Sequence, residues 1–339
     1  MALVREIMSL KENDIRPSDL DEGKHKALEE DLERLYSKKD KFVEVSCPAC
    51  SSGDSYFEFE KYGFKFERCK ACETVFMNPR ATPEILDEFY SDSKLYAYWD
   101  KYIFPASRAS RMKNIFKPRV QHISDLCDRE NIPKDLIVEI GSASGMFCEE
   151  ALKSKYFKRV LGIEPSAAQA ATCRELGLEV IESSIENVKD LNEVADVIVS
   201  FETIEHISSP RDFIISSHKI LKQEGLMILT CPNYLGFDIL CLGEDSDSLD
   251  AEHINMFNPK SLTLLVENLG FSVIEISTPG KLDVDIVMNS FQSKKISFNK
   301  KGFLDYIFTD ADEDKMNNFQ EFLSKNLLSS HMMIAAKKL

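Results

Sequence analysis

The sequence predicts an α/β protein, a doubly wound and mostly parallel seven-stranded sheet preceded by a small module clamped by cysteines. Three observations lead there. From residue 135 onward short apolar runs alternate with helix-patterned stretches, the pattern of parallel strands covered on both faces by helices. Two Cys-x-x-Cys pairs stand 18 residues apart in "CPACSSGDSYFEFEKYGFKFERCKAC". With 339 residues and 43% hydrophobic content, the chain has room for a small module and a larger domain with its own core.

The first segment, residues 1–40, is charge-rich. Its stretch "RPSDLDEGKHKALEEDLERLYSKKDKF" places Leu28, Leu32 and Leu35 on one helical stripe, and Ser18 with Asp21 after Pro17 has the form of a capping box. A short amphipathic helix is expected, packed on the cysteine module or on a second copy of the chain, so a homodimer is one expected assembly.

Residues 41–80 hold the clamp. Cys47, Cys50, Cys69 and Cys72 can present four thiolates from two tight knuckles, which closes a tetrahedral zinc site with no open position and therefore a structural role. Between the knuckles, "SYFEFEKYGFKFERC" alternates aromatic and charged residues around a Gly, the pattern of a β-hairpin. The segment reads as a zinc ribbon. Cys127, Cys148, Cys173, Cys231 and Cys241 are scattered singly through apolar segments and read as buried free thiols.

Residues 81–130 are aromatic and helical in pattern, contain the only tryptophan, Trp99, and suggest a helical cap. Residues 131–339 carry the sheet. Its expected strands are "LIVEIG", "RVLGIEP", "EVIESS", "ADVIVSF", "GLMILTCP", "FSVIEIST" and "HMMIAAKK". An insertion at 281–330 separates the last two and holds a helix expected to turn Met316, Phe319, Phe322, Leu323 and Leu327 inward.

Charge narrows the function. Lysine and arginine total 42 against 57 acidic residues, a formal charge of −15, which argues against a nucleic-acid partner because phosphate binding needs a basic face. The start "MALVREIMSLKEND" lacks the apolar core of a signal peptide, and no run approaches the roughly 18 apolar residues of a membrane span, so a cytoplasmic protein is expected.

In a doubly wound sheet ligands bind beyond the carboxyl ends of the strands, where the strand order reverses. The first such loop is "LIVEIGSASGMF": Gly141 and Gly145 let the backbone run close to a bound molecule, and Glu139 can accept a hydrogen bond from an amine. The spacing is G-x-x-x-G instead of G-x-G-x-x-G, which disfavours a pyrophosphate cradle. Glu164 in "GIEPS", 23 residues after Gly141, is placed to take both hydroxyls of a ribose. "ESSIENV" then puts Ser184 and Ile185 beside the position for a base, and the fourth strand leads into "FETIEHISSPRDF".

Taken together, "VEIGSASG", "GIEPS", "FETIEHI", "HKILKQEGLMILTCPN" and "HINMFNPKSLTLLVENLGFSVIE" resemble the class I S-adenosylmethionine-dependent methyltransferases, in that family's order, over about residues 115–339. The ribbon followed by "CETVFMNPR" resembles the zinc-bearing module of nucleotide-sugar C-methyltransferases. The resemblance implies a Rossmann-like methyltransferase fold and S-adenosylmethionine as cofactor. Glu139, Gly141, Ala143 and Gly145 would line its methionine part, Glu164 its ribose, and Ser184 with Ile185 its adenine. Ala143 stands where the family's glycine pattern has a second glycine, and Ser184 where an acidic residue is frequent. Arg119 in "FKPRVQHI" resembles an arginine of ubiquinone-pathway O-methyltransferases that meets the cofactor carboxylate.

Two Glu-His pairs, Glu205-His206 and Glu252-His253, are the catalytic candidates. Methyl transfer is an in-line displacement, and removing a proton from a hydroxyl or an acidic C–H suits a histidine near neutral pH with a carboxylate to orient it. His253 is the expected base with Glu252 orienting it, and His206 with Glu205 is the alternative. The C-methyltransferases carry a Tyr-x-Glu-His stretch here, whereas "LDAEHINMF" has Leu249 and Asp250 before its Glu-His pair. A roof is expected over the crevice, built from the segment around Tyr96, Tyr98 and Trp99, the Glu252-His253 loop and the 281–330 insertion. The expected acceptor is a small polar molecule, a sugar or nucleotide-linked sugar of glycan biosynthesis. An RNA methyltransferase gripping its substrate through the ribbon and a non-catalytic binding protein are the alternatives.

Overall fold

The computed structural model describes residues 10–293, 296–298, 302–309 and 312–339. The part of the expected non-secretory start that falls on residues 1–9 lies outside the described residues. Among those described, no helix is long and apolar enough to cross a membrane.

The described strands form two sheets. Strands β1 (Ser55–Lys61), β2 (Phe64–Cys69) and β3 (Val75–Met77) belong to the cysteine module, with β1 and β2 joined as the expected hairpin through Tyr62 and Gly63. Both turn residues have positive φ, 52° and 75°, which matches the twist of a two-residue hairpin loop. Strands β4 (Leu136–Ile140), β5 (Arg159–Ile163), β6 (Glu179–Ile181), β7 (Ala195–Phe201) and β8 (Leu221–Pro232) follow. A short β9 (Asn255–Met256) comes next, then β10 (Phe271–Ser277) and β11 (His331–Lys338).

The large sheet runs β10-β11-β8-β7-β4-β5-β6. Strand β11 is antiparallel to both its neighbours and the other adjacent pairs are parallel, so the seven-stranded, mostly parallel sheet stands as predicted. Strand β4 is buried along its whole length because helices cover both faces. It lies between β5 and β7, which makes the gap above β4 and β7 the place where the strand order reverses.

The hairpin module is not a separate appendage. Its sheet continues β1-β2-β3-β9, and β9 comes from the loop that carries Glu252 and His253. Cys47, Cys69, Cys72 and Phe76 share a core with Phe257 and Leu262 on one face of the large sheet.

Three local expectations need correction. Ser18 and Asp21 do not form a capping box: Ser18 opens a separate 3-10 turn, and the helix Asp21–Tyr36 starts after Leu20 with no side-chain cap. The Ser18 amide donates to Asn13 Oδ1 at 2.9 Å, so a neighbouring turn takes it first. The leucine stripe holds in part: Leu35 is buried and Leu32 packs beside it in one core with Phe59, Phe64 and Phe66 of the hairpin, whereas Leu28 is half-buried and the other buried positions of that helix are Ala27 and Asp31. Asp31 is buried because it accepts from Ser93 Oγ at 2.7 Å and from the amides of Lys94 and Leu95 at the start of the helix Lys94–Tyr98. In the insertion, Leu323 faces inward with Met316 and Phe319 against the same small core, but Phe322 and Leu327 are exposed. Phe322 sits one residue, 100° of turn, off that stripe, and Leu327 lies beyond the helix end at Lys325.

Candidate active site

The loop after β4 carries the first group of residues. Gly141 has φ +74°, and a Cβ there would meet Thr203 Oγ1 at 2.7 Å, so the turn is both left-handed and closely backed. Gly145 has φ +77° at the start of the helix Met146–Ser154. Ala143 between them also has positive φ, +46°, and occupies left-handed space without a glycine's freedom. Its amide donates to Glu164 Oε2 at 2.8 Å, and the Ser166 amide donates to the other oxygen at 2.8 Å. Glu164 thus ties the loop after β4 to the end of β5 and keeps one further lone pair on each oxygen for a ligand hydroxyl.

Glu139 is 4% exposed at the end of β4. Burial pushes its carboxyl up to about 8, against the Cys148 thiol, which donates to it at 3.0 Å, and against Arg119. The Arg119 guanidinium lies over the Phe201 ring, 4.1 Å from its centroid, at the end of β7. Of the two residues expected at the adenine, Ser184 caps a 3-10 turn and accepts from Asn187 at 3.0 Å. Ile185 packs in the core at 3% exposure and offers a ligand little surface.

The two Glu-His pairs come together. His206 and His253 have ring centroids 4.7 Å apart, and ligand atoms of Glu205, His206 and His253 all lie within 4.8 Å of one another, a donor set that could take up a proton or hold a cation. His206 Nδ1 is 3.1 Å from the Glu252 carbonyl oxygen, and His253 Nδ1 is 2.8 Å from the Ser248 carbonyl oxygen. A carbonyl can only accept, so in this arrangement each Nδ1 carries the proton and each Nε2 keeps a free lone pair. Burial, then the neighbouring His253, lowers His206 to about 3, which keeps it neutral at physiological pH.

Glu252 does not orient His253. Its side chain has a buried oxygen without a partner, and its contribution is the backbone carbonyl that holds His206. The Ser248 carbonyl orients the His253 ring, and Asp250 fixes the loop backbone by accepting from the amides of Glu252 and His253 at 2.9 and 2.8 Å, with its carboxylate 3.6 Å from His253 Nδ1. Both oxygens of Glu205 are buried and unpartnered, and burial first, then Glu202 and Asp250, pushes its carboxyl well above the usual range.

Sequence reasoning missed Asp250 in this role, Tyr90 and Glu202. Tyr90 stands 3.3 Å from His206 Nδ1 and 3.4 Å from the Glu252 carbonyl, supplying from the cap a phenol beside the Glu-His loop. Nothing in its local sequence marks it. Glu202, in "FETIEHI", carries a left-handed φ of +50°. Although burial opposes it, His331 at 3.2 Å, the Thr230 hydroxyl and Arg119 hold its carboxyl down to about 2.

Of the expected roof, Tyr96 lies 6.5 Å from the His206 ring. Tyr98 instead donates to the Leu20 carbonyl at 3.2 Å, and Trp99 packs on Phe104. The insertion approaches through Lys281, whose ammonium donates to the Asn114 carbonyl at 3.3 Å.

The four clamp cysteines have sulfur atoms mutually within 4.8 Å, with Cys47–Cys72 at 3.4 Å and Cys50–Cys69 at 3.5 Å. These separations are too long for disulfides and near the ~3.8 Å edge of a tetrahedral Zn–S4 site. The donor set therefore fits zinc.

Residues 109–276 match the family described as "Methyltransferase domain". With the strand order and the loop after β4, this part of the chain is a class I S-adenosylmethionine-dependent methyltransferase domain. The chain is 28% identical over 171 residues to a ubiquinone biosynthesis O-methyltransferase of Rhodopseudomonas palustris (strain BisA53), over 46% of this chain and 65% of that protein. It is 25% identical over 169 residues to C-methyltransferase NovU of Streptomyces niveus, over 47% of this chain and 39% of that protein. The chain thus spans less than two thirds of the length of either. A solved S-adenosylmethionine-dependent methyltransferase of Thermotoga maritima, described as a possible histamine N-methyltransferase, overlays with a TM-score of 0.45 and 17% identity, over 71% of this chain and 98% of that one.

Proposed function

We propose that this protein transfers a methyl group from S-adenosylmethionine to a small polar acceptor, a sugar or nucleotide-linked sugar, with His253 as the base and His206 as its alternative. The observation that carries this reading is the pair of histidines whose Nδ1 protons are held by backbone carbonyls, leaving two Nε2 lone pairs beside the cofactor-type loops. When bound, the cofactor supplies an electrophilic methyl group. The chain's own residues do the rest. Glu139 and Arg119 are charged complements for an amino-acid ammonium and carboxylate, and Glu164 has lone pairs for ribose hydroxyls. Tyr90 and Tyr96 cover His206 and limit water there, while His253 takes the acceptor proton.

The acceptor is read as polar because Asp250, Glu205, Glu252 and Tyr90 surround the histidines with hydrogen-bonding groups, which suits a hydroxyl-bearing molecule. The clamp cysteines hold a structural zinc in the same reading, since the four thiols leave no open position. Calorimetry with S-adenosylhomocysteine tests the cofactor step, and methyl transfer from labelled cofactor to a panel of sugars and nucleotide sugars tests the acceptor. A protein that binds no S-adenosylhomocysteine overturns the reading.

A further inference from the structure

Glu205, His206 and His253 meet as three electron-pair donors with no proton between them. Both oxygens of Glu205 are buried and receive no hydrogen bond from another of the described residues. Each histidine donates its Nδ1 proton to a backbone carbonyl, of Glu252 for His206 at 3.1 Å and of Ser248 for His253 at 2.8 Å, so each Nε2 offers a lone pair. A buried carboxylate without a partner is costly unless a proton or a cation neutralises it.

The surroundings are those of a metal site. Among the described residues, only this group and the four clamp cysteines bring three or more ligand-type side chains together, with ligand atoms within 4.8 Å of one another. An ion with bonds of about 2.0–2.1 Å sets its ligands ~3.3 Å apart, so an approach of at most about 1.5 Å, within the reach of a carboxylate rotation, closes the group. A metal-bound histidine characteristically donates its other ring N–H to a carbonyl or carboxylate, and both histidines do so here. Asn255 ties the two loops to each other: its backbone amide donates to the Glu205 carbonyl at 3.0 Å and its side chain to the Ile207 carbonyl at 2.7 Å. The backbone under the donors is therefore fixed before any ligand arrives. The His253 side chain is 17% exposed, which leaves a way in.

We propose that Glu205, His206 and His253 form a second metal site, for a divalent transition-metal ion of the zinc type, and that an ion there withholds the lone pair with which His253 takes the acceptor proton. Occupancy then shuts off methyl transfer. The inhibition rests on the methyltransferase reading above, and the site itself does not. Two imidazoles and a carboxylate suit zinc, cobalt or nickel, whereas magnesium and calcium take oxygen ligands. Three protein donors leave one coordination position to water and hold an ion less tightly than the four thiolates of the clamp, so dialysed protein keeps the clamp's zinc alone.

The test titrates the full-length protein, its clamp filled with zinc, with further zinc by calorimetry and with cobalt by visible absorption. One further equivalent of zinc is expected to bind, with a dissociation constant on the order of 10 μM or tighter. Cobalt there is expected to show visible d–d bands without the sulfur-to-metal charge transfer of thiolate ligands, which separates this site from the clamp. Glu205→Gln and His206→Ala are each expected to weaken the second ion at least about tenfold, since even changes outside the ligand set cost that much at metal sites. Glu205→Gln keeps the side chain's size and serves where His206→Ala does not fold. His122→Ala, at a side chain 44% exposed beside Glu275, is expected to leave the titration unchanged. No second equivalent, or wild-type affinity in folded Glu205→Gln, overturns the site. In methyl-transfer assays the second equivalent is expected to abolish turnover, with half the loss at the dissociation constant read by calorimetry. Zinc that binds and leaves turnover unchanged or raised overturns the inhibition together with His253 as the base, and leaves the metal site standing. The titration needs no acceptor, so it decides the site even in a chain that transfers no methyl group.

Discussion

Arg80 donates to Asn255 Oδ1 at 2.7 Å, a bond between two buried side chains that joins the end of the cysteine module to the strand two residues beyond His253. The other arm of the guanidinium donates to the Ser208 carbonyl at 2.9 Å, and the Asn255 amide donates to the Ile207 carbonyl at 2.7 Å. The module, the His253 loop and the His206 loop are therefore one hydrogen-bonded body. Asn258 adds a bond to the carbonyl of Cys72.

That coupling predicts an effect of the clamp on chemistry. Cys69→Ser is expected to lose zinc and to lower turnover although no cysteine approaches the histidines. Arg80→Met is expected to keep zinc and still lower turnover, because leaving the buried Asn255 Oδ1 without a donor costs about 1–3 kcal/mol and loosens the strand beside His253. Metal content, urea denaturation and single-turnover rates measure the three effects. An Arg80→Met protein with full activity and unchanged stability would show that the bond positions nothing.

The histidines separate by substitution. His253→Ala is expected to lower turnover by about 10²–10⁴ with S-adenosylhomocysteine affinity nearly intact. Asp250→Asn removes the charge that accepts from two amides and lies 3.6 Å from the ring, so a smaller loss, on the order of tenfold in kcat, is expected. If His206→Ala loses the rate and His253→Ala does not, the base is His206.

Glu139 gives the pH dependence its sign. Its carboxyl stands at about 8 in the ligand-free protein against 4.5 ordinarily, so the folded state holds a proton that the unfolded state has released. That contribution to stability is present below about pH 4.5 and is lost as pH rises through about 8, so the ligand-free protein weakens across this window. An ammonium beside Glu139 needs the carboxylate, so S-adenosylmethionine affinity is expected to rise with pH toward 8. Binding at pH 7 should release about 0.9 proton. Calorimetry in buffers of different ionisation enthalpy reads the number, and Glu139→Gln should abolish it.

Ala143 holds a left-handed conformation at φ +46°, which disfavours a residue with a Cβ. Ala143→Gly is expected to be neutral or stabilising by up to about 1 kcal/mol in urea denaturation, with cofactor affinity retained. Ala151→Gly, in the helix that follows, is expected to cost about 1 kcal/mol or more. A clear loss of stability in Ala143→Gly would mean that the methyl group is needed by its neighbours.

The sequence by itself determined what depends on near neighbours. Seven mostly apolar runs marked the seven strands of the large sheet, since a strand covered on both faces must be apolar over most of its length, as β4 is apart from Glu139. The knuckles of Cys47, Cys50, Cys69 and Cys72 and the hairpin between them were legible because the turn and the ligand spacing are local. The loops at the strand ends pointed to Gly141, Gly145, Glu164 and the two Glu-His pairs, and the resemblance implied cofactor roles for the first three. What only the tertiary structure decided are the relationships across long separations. Tyr90 meets His206 from 116 residues away, and Arg80 meets Asn255 across 175. The Ser248 carbonyl, with Asp250 holding the loop amides, orients His253 in place of Glu252, because the backbone turn and not adjacency in sequence aims each group. No periodicity records such partners, because a buried polar group needs a mate somewhere in the fold and the chain only has to deliver it there.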